Sequence, residues 1–194
     1  MANVLSQEKR ETVIRCLVDG ASVRATERIA AVHRDTILRF MVKAGTGCER
    51  LLNDTMRNLT CRRVQVDEIW GYVGKKQRHL TVDDDPTRTG DIWTFVAIDA
   101  DTKLIPVYRL GKRDLPTATA FLNDLASRLV NRIQLSSDAL AAYVDASEQA
   151  FGFEVDYGQV VKSYEAEPMG PGRYSPPHVI RATRFPIIGD PEMA

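Results

Sequence analysis

Two aspartates, Asp67 and Asp138, sit where the local sequence passes from β-type to polar. Asp67 closes the alternating run Val64-Gln65-Val66 and is followed by Glu68, Ile69 and Trp70; Asp138 follows Ile133 to Leu135 and two serines. A carboxylate delivered by a stiff strand is held more rigidly than one on a loop. Two carboxylates on adjacent strands can clamp a divalent cation through oxygen alone, because Mg2+ takes its remaining ligands from water and phosphate. Two such ions about 4 Å apart activate a water or a 3′-hydroxyl and stabilise the leaving oxygen in phosphodiester chemistry. Two merely solvated acids fit the same letters, and spacing leaves both readings open. By strand alternation Glu68 points to the opposite sheet face from Asp67.

The elements that must position these acids are legible around them. Val64–Tyr72, Ile92–Ile98 and Leu104–Leu110 read as strands, with DADTK (99–103) as the hairpin turn between the last two. Leu115–Asn131 reads as a helix, since Ala118, Phe121, Leu122, Leu125, Leu129 and Val130 recur at helical spacing. Ile133–Leu135 is a short strand, Ala139–Phe151 a helix and Phe153–Tyr157 a fifth strand. The order β-β-β-α-β-α predicts a mixed sheet with helices on its faces, and places the first and fourth strands side by side. The polar segment 77–90, with Asp83 to Asp85, reads as a solvated loop. Six of the nine prolines fall in the last 27 residues, so 165–194 is expected to be a Pro/Gly-rich tail, extended or partly disordered.

The N-terminal stretch has a different texture. Ser6–Asp19, Ser22–Ala30 and Arg34–Lys43 read as three short helices, with Ser6 as an N-cap and Ala31-Val32 as a tight apolar turn. This pattern matches a helix-turn-helix, whose last helix can enter a DNA major groove. Arg24, Arg34, Thr36, Arg39 and Lys43 are the side chains it would offer to phosphates and base edges. A plain three-helix bundle with a solvated basic face fits equally. Residues 1–63 hold 12 Lys+Arg against 7 Asp+Glu, and residues 64–194 hold 14 against 19, so a basic part precedes an acidic one. The expected division is 1–45 helical domain, 46–61 linker, 62–164 sheet domain and 165–194 tail.

Cys16, Cys48 and Cys61 are odd in number and show no paired spacing, which argues against a disulfide framework or a zinc ribbon. A reducing cytoplasm is the expected setting, with no membrane span. Trp70 and Trp93 can stack on bases or pack in a sheet core. Lys75, Lys76 and Arg78, like Arg109, Lys112 and Arg113, can hold phosphate or simply be solvated.

Several stretches together resemble the DDE-type transposases of bacterial insertion sequences, of the short "IS-one" kind. They are LVDGASVRATERIAAVHRDTILR, RNLTCRRVQVDEIW, DIWTFVAIDADTKLIP, FLNDLASRLVNRIQLSSDALAAY and YSPPHV, in the family's order over nearly the whole chain. The resemblance implies a helix-turn-helix DNA-binding domain followed by a ribonuclease-H-like α/β catalytic domain. It implies that Asp67 and Asp138 are the first two catalytic acids and hold Mg2+ (or Mn2+). The implied partners are double-stranded DNA, both terminal inverted repeats and target DNA, and a further copy of the chain in a homo-oligomer. The implied location is cytoplasmic and DNA-associated. The family's third acid, a downstream helical Glu, has no counterpart in a matching motif: Glu165, Glu167 and Glu192 lie in the Pro/Gly-rich stretch. The chain therefore resembles a C-terminally truncated member with an incomplete catalytic domain and impaired catalysis. The alternative is a non-catalytic DNA-binding inhibitor that occupies transposon ends.

Overall fold

The computed structural model describes residues 4–165 and 178–191. The chain divides into two compact units, Met1–Thr55 and Met56–Ala194.

The first unit holds α1 (Gln7–Val18), α2 (Val23–Ala30) and α3 (Arg34–Thr55). Ser6 and Ser22 cap α1 and α2 by accepting from Lys9 N and Ala25 N, which satisfies first-turn amides that have no helical partner. Val13, Ala30, Val32 and Ile37 form its buried core, with Leu5, Leu17, Val23 and Phe40 against it. Ala31 closes α2 in the left-handed region (φ 48), and its carbonyl accepts from Lys9 Nζ at 3.1 Å. The Glu27 carboxylate then caps α3 by accepting from Arg34 N at 3.0 Å.

The expected end of the third helix near Lys43 and the linker at 46–61 are corrected here, because α3 runs on to Thr55. Gly45 and Gly47 lie within it and do not break it. A lone glycine costs a helix only about 1 kcal/mol, and the segment contains no proline to stop it.

The second unit is a six-stranded mixed sheet in the order β3-β2-β1-β4-β5-β6. Its strands are β1 (Arg63–Val73), β2 (Gly90–Asp99), β3 (Val107–Gly111), β4 (Ile133–Ser137), β5 (Val155–Glu165) and β6 (His178–Ile188), with α4 (Leu115–Arg128) and α5 (Ala142–Phe151) between β3, β4 and β5. β1, β2 and β3 pair antiparallel, β4 pairs parallel to β1, β5 pairs parallel to β4, and β6 returns antiparallel to β5. Among the described residues both helices cover one face. There Val64, Val66, Phe95, Ala97, Leu135 and Tyr157 meet Ala118, Phe121, Leu122 and Leu125 of α4 and Tyr143 and Ala146 of α5. Asp114 caps α4 through Thr117 N, and Pro116 lies in the first turn, where its missing N–H costs nothing.

Two expectations are revised. Residues 178–188, assigned to the tail, form β6; the pattern was hidden because its outermost position leaves most of its residues exposed on both faces. The remainder of that tail lies largely outside the described residues, as do Glu167 and Glu192. The acidic segment 83–85 is not simply solvated: Asp84 accepts from Lys75 Nζ (2.8 Å) and Thr81 N (2.7 Å), and Asp85 accepts from Thr87 N (2.9 Å). Lys75, above all, holds the Asp84 carboxyl at about 2. Finally, the loop closes at Gly90 (φ 102), where any Cβ would collide with the Gln77 side chain. Gln77 in turn donates its amide to Asp91 at 2.9 Å.

The far end of the sheet is fastened by Arg132, which forks onto Asp156 (2.8 and 2.7 Å) and reaches the Val155 carbonyl (3.1 Å); Asp156 also accepts from Asp190 N at 3.0 Å, just past β6. Arg132 is the chief cause that sets the Asp156 carboxyl at about 2. Because its folded value lies below the unfolded one, its stabilisation is complete above about pH 4 and lost as pH falls towards 2. Asp156→Asn should therefore cost about 1 kcal/mol at pH 7. Urea titrations should show the gap to wild type closing between about pH 4 and 2, and a gap unchanged across that window would refute the assignment.

Candidate metal centre

The pairing of β1 with β4 is short. It covers Arg63↔Gln134, Val64↔Leu135 and Gln65↔Ser136, while β2 follows β1 on its other side as far as Val73. Beyond Gln65 the β4 side of β1 is open, and the chain leaving β4 turns there. Asp138 makes that turn, its Oδ1 accepting from Leu140 N at 2.9 Å. Asp67, two residues past the last paired position, accepts from Glu68 N at 2.8 Å. Both aspartates line an open cleft of about 500 Å3 with Gln65, Ile69, Val96 and Lys162.

A one-way chain of hydrogen bonds fixes the Asp138 turn from below. Ser137 Oγ donates to the Asp138 carbonyl (2.7 Å), so Tyr157 must donate its hydroxyl proton to Ser137 (2.8 Å). Gln159 Nε2 then donates to the Tyr157 oxygen (2.9 Å) and to the Leu140 carbonyl (3.2 Å). Burial raises the Tyr157 hydroxyl above its ordinary value, so the proton this chain requires is retained.

The third member is Glu68. Its side chain does lie on the helix-covered side, but the expectation that alternation removes it from Asp67 fails. One carboxylate oxygen each of Asp67, Glu68 and Asp138 lie within 4.8 Å of one another. The open edge of β1 is the reason: with no β4 residue opposite positions 67 and 68, side chains from both faces reach the same gap. The all-oxygen donor set suits a hard cation.

The Glu68 side chain is 1% exposed, and Arg113 answers it, donating Nη2 to Glu68 Oε2 at 3.1 Å and to Asp138 Oδ2 at 3.4 Å. Glu68 Oε1 and the Tyr143 hydroxyl are buried close together yet make no hydrogen bond of ordinary geometry. Burial pushes the Glu68 carboxyl up, the Tyr143 hydroxyl and Arg113 pull it back, and the Asp138 charge adds to the rise. Burial, then Glu68, likewise raises the Tyr143 hydroxyl. An orphaned buried carboxylate oxygen beside two solvated carboxylates gives a hard cation a free ligand atom, so the residues fit the ion. Glu68 and Arg113 were absent from the sequence-derived site. The signal was available: Val64, Val66 and Glu68 share one parity, and an acid at the third inward position demands a partner.

In the other unit, Arg24, Arg34, Arg39 and Lys43 are exposed and Thr36 is half-buried. Thr36, Arg39 and Lys43 share a stripe of α3 and line a groove of about 410 Å3 with Arg10, Val4 and Leu5. Arg24 and Arg34 lie outside it. His33 caps α3, its Nδ1 accepting from Asp35 N at 3.3 Å.

No protein-family model matches the chain, and no curated protein matches it. Among solved structures, it is similar to the piggyBac transposase of a synaptic complex with hairpin DNA: 11% identity, 81% of this chain and 41% of that one, TM-score 0.45. It is also similar to the Mos1 transposase of a paired-end complex with a left transposon end: 16% identity, 76% and 58% coverage, TM-score 0.30. The chain thus spans about two-fifths of the first protein and under three-fifths of the second.

Arg113→Met in metal-free buffer should destabilise the protein by about 2 kcal/mol, below the full cost of breaking a buried pair because Arg113 is partly solvated. Adding Glu68→Gln should recover most of that loss in urea titrations; simple additivity of the two changes would mean they are not coupled.

Proposed function

We propose that this protein is a DDE-type transposase of the insertion-sequence kind. On this reading the first unit is a helix-turn-helix that binds terminal inverted repeats, and the second a ribonuclease-H-like domain that cuts and rejoins phosphodiesters. The observation that carries the proposal is the meeting of Asp67, Glu68 and Asp138 within 4.8 Å beside an open cleft, two of them delivered by neighbouring parallel strands. Supporting it is the basic stripe Thr36, Arg39 and Lys43 on α3, with Arg24 and Arg34 outside that stripe as further phosphate contacts.

Mg2+ or Mn2+ bound at the carboxylates supplies Lewis-acid stabilisation of charge at the reacting phosphate. The chain's own residues do the rest. Asp67 and Asp138, which line the cleft, would hold the ion. The Ser137-Tyr157-Gln159 chain keeps the Asp138 turn from relaxing. Arg113 pairs with Glu68 and Asp138 and would offer its guanidinium to a phosphate oxygen at the cluster. Glu68 would supply a third carboxylate beside Asp67 and Asp138.

A second reading is favoured by the same arginine. Arg113 already spans two of the three acids, so the cluster can be internally balanced, and the protein would then occupy transposon ends without cutting them. Incubation of supercoiled plasmid with Mg2+ or Mn2+ separates the two. The expected result is metal-dependent nicking that Asp67→Asn reduces by about 103-fold or more, from loss of a transition-state ligand. Duplex binding should survive that change and weaken steeply with salt. Equal background cutting by both proteins, with binding intact, would select the inhibitor. Salt-independent binding would remove the phosphate contact from either reading.

A further inference from the structure

The β1–β2 hairpin continues past the acidic cluster, and its outer part carries an unusual surface. From Trp70↔Trp93 to Val73↔Gly90 the two strands pair with each other, beyond the reach of β4. The even-numbered side chains of β1 continue the face of Glu68, so Trp70 and Tyr72 follow it in line. Trp70 is 42% and Tyr72 51% exposed, and their ring centroids lie 5.8 Å apart. Trp93, directly across from Trp70, is half-buried with the Arg113 guanidinium 4.9 Å over its ring. Lys76 Nζ stands 5.0 Å over the Trp70 ring. From the cluster outward the order is therefore carboxylate, guanidinium, indole, indole, phenol, with an ammonium group at the side.

Two features show that these rings are placed rather than merely left over. The loop that brings Lys76 over Trp70 is locked by Gln77 and Asp91, which exchange amide-to-oxygen contacts of 2.9 and 3.4 Å across Gly90. The Gln77 amide first, and the Trp70 indole N–H with it, hold the Asp91 carboxyl below its ordinary value. The indole carries Lys76 over its ring and keeps 42% of its surface exposed. An apolar protein partner would be met by aliphatic neighbours, whereas Trp70 has Lys76 over its ring and Trp93, its cross-strand neighbour, has Arg113. Aromatic faces interleaved with cations suit nucleobases strung on phosphates. Duplex DNA keeps its base faces inside the stack, so only unpaired nucleotides can use such faces. Strand rise of about 3.3 Å per residue puts Trp70 about 7 Å and Tyr72 about 13 Å along β1 from Glu68, within one or two nucleotides of a phosphate at the cluster.

We propose that Trp70 and Tyr72, with Lys76, form a stacking site for unpaired nucleotides of a DNA strand whose phosphate lies at the Asp67-Glu68-Asp138 cluster, a proposal that rests on reading that cluster as the phosphodiester centre. The occupied state places one base on the Trp70 ring and the next against Tyr72, while Lys76 contacts the intervening phosphate. The strand end is thereby held frayed beside the metal site.

The test uses the full chain in EDTA, so that binding is read without cleavage. Fluorescence anisotropy is recorded with a short single-stranded oligonucleotide, a blunt duplex of the same sequence, and a duplex with two unpaired terminal nucleotides. Trp70→Ala should weaken the single strand and the frayed duplex about tenfold, one stacked base's worth, and the blunt duplex less than twofold. Trp70→Phe should keep most of the affinity, and Tyr72→Ala should lose severalfold. 2-Aminopurine at the second unpaired position should be quenched by wild type and not by Trp70→Ala. Equal losses on all three DNAs, or none, would overturn the proposal; so would a loss of self-association in Trp70→Ala with DNA binding intact, which would assign the rings to a protein partner. Trp70 is solvated, so an unchanged melting temperature is expected in each variant. Tyr72→Ala and the 2-aminopurine signal decide the matter if Trp70→Ala folds poorly. Loss of metal-dependent cutting with the stacking differences intact would sink the phosphodiester reading alone.

Discussion

Three residue pairs join β1 to β4, and the candidate site depends on that number. Had the parallel ladder run further, Asp67 would face a β4 residue and the open edge would be closed. Stopping at Gln65↔Ser136 lets β4 turn away at Ser137 and leaves a notch one strand wide. Side chains from both faces of β1 enter it, which is how consecutive residues of a strand contribute to a single cluster. The remaining elements hold the two strands in that relation. Val64 and Leu135 pack under α4 and α5, and the parallel crossover through α4 returns the chain next to β1.

The notch concentrates negative charge, and the surroundings are arranged around that cost. A buried carboxylate without a partner is expensive. Arg113, one residue before the cap of α4, meets Glu68 and Asp138 together and rests its guanidinium on Trp93. The cap fixes where α4 begins and so where Arg113 can reach, which ties an ordinary helix start to the electrostatics of the cluster. Beneath it, Gln159, Tyr157 and Ser137 donate in one direction only, and every proton in that chain is accounted for. The cluster keeps one orphaned oxygen on Glu68 beside the Tyr143 hydroxyl.

Much of this unit was legible before any coordinates. The alternation of Val64, Val66 and Glu68, the spacing of Phe121, Leu122 and Leu125, and the hairpin signal DADTK are local patterns, and local patterns survive into the fold. Asp67 and Asp138 stand out because each follows a short β-type run, although β1 continues through Asp67 to Val73. What remained hidden depends on contacts between elements distant in sequence. Arg113 is 45 residues from Glu68, and nothing in LGKRDLP distinguishes it from a solvated arginine. β6 was missed because an edge strand need not alternate when neither face is covered. Helix α3 was cut short because two glycines were given more weight than a helix with no proline gives them. Trp70 was weighed against core packing, and only the hairpin's extension beyond β4 shows that no core is there to receive it.

β6 has a consequence for how the protein behaves in company. Among the described residues it is the last strand of the sheet, and no described strand pairs with its far side. The strand carries Arg181, Arg184 and Pro186 within six residues. Two like charges repel an incoming copy of the same strand, and the proline removes one amide from the ladder. The composition that disguised this segment as a tail is thus also what discourages the sheet from growing by a seventh strand.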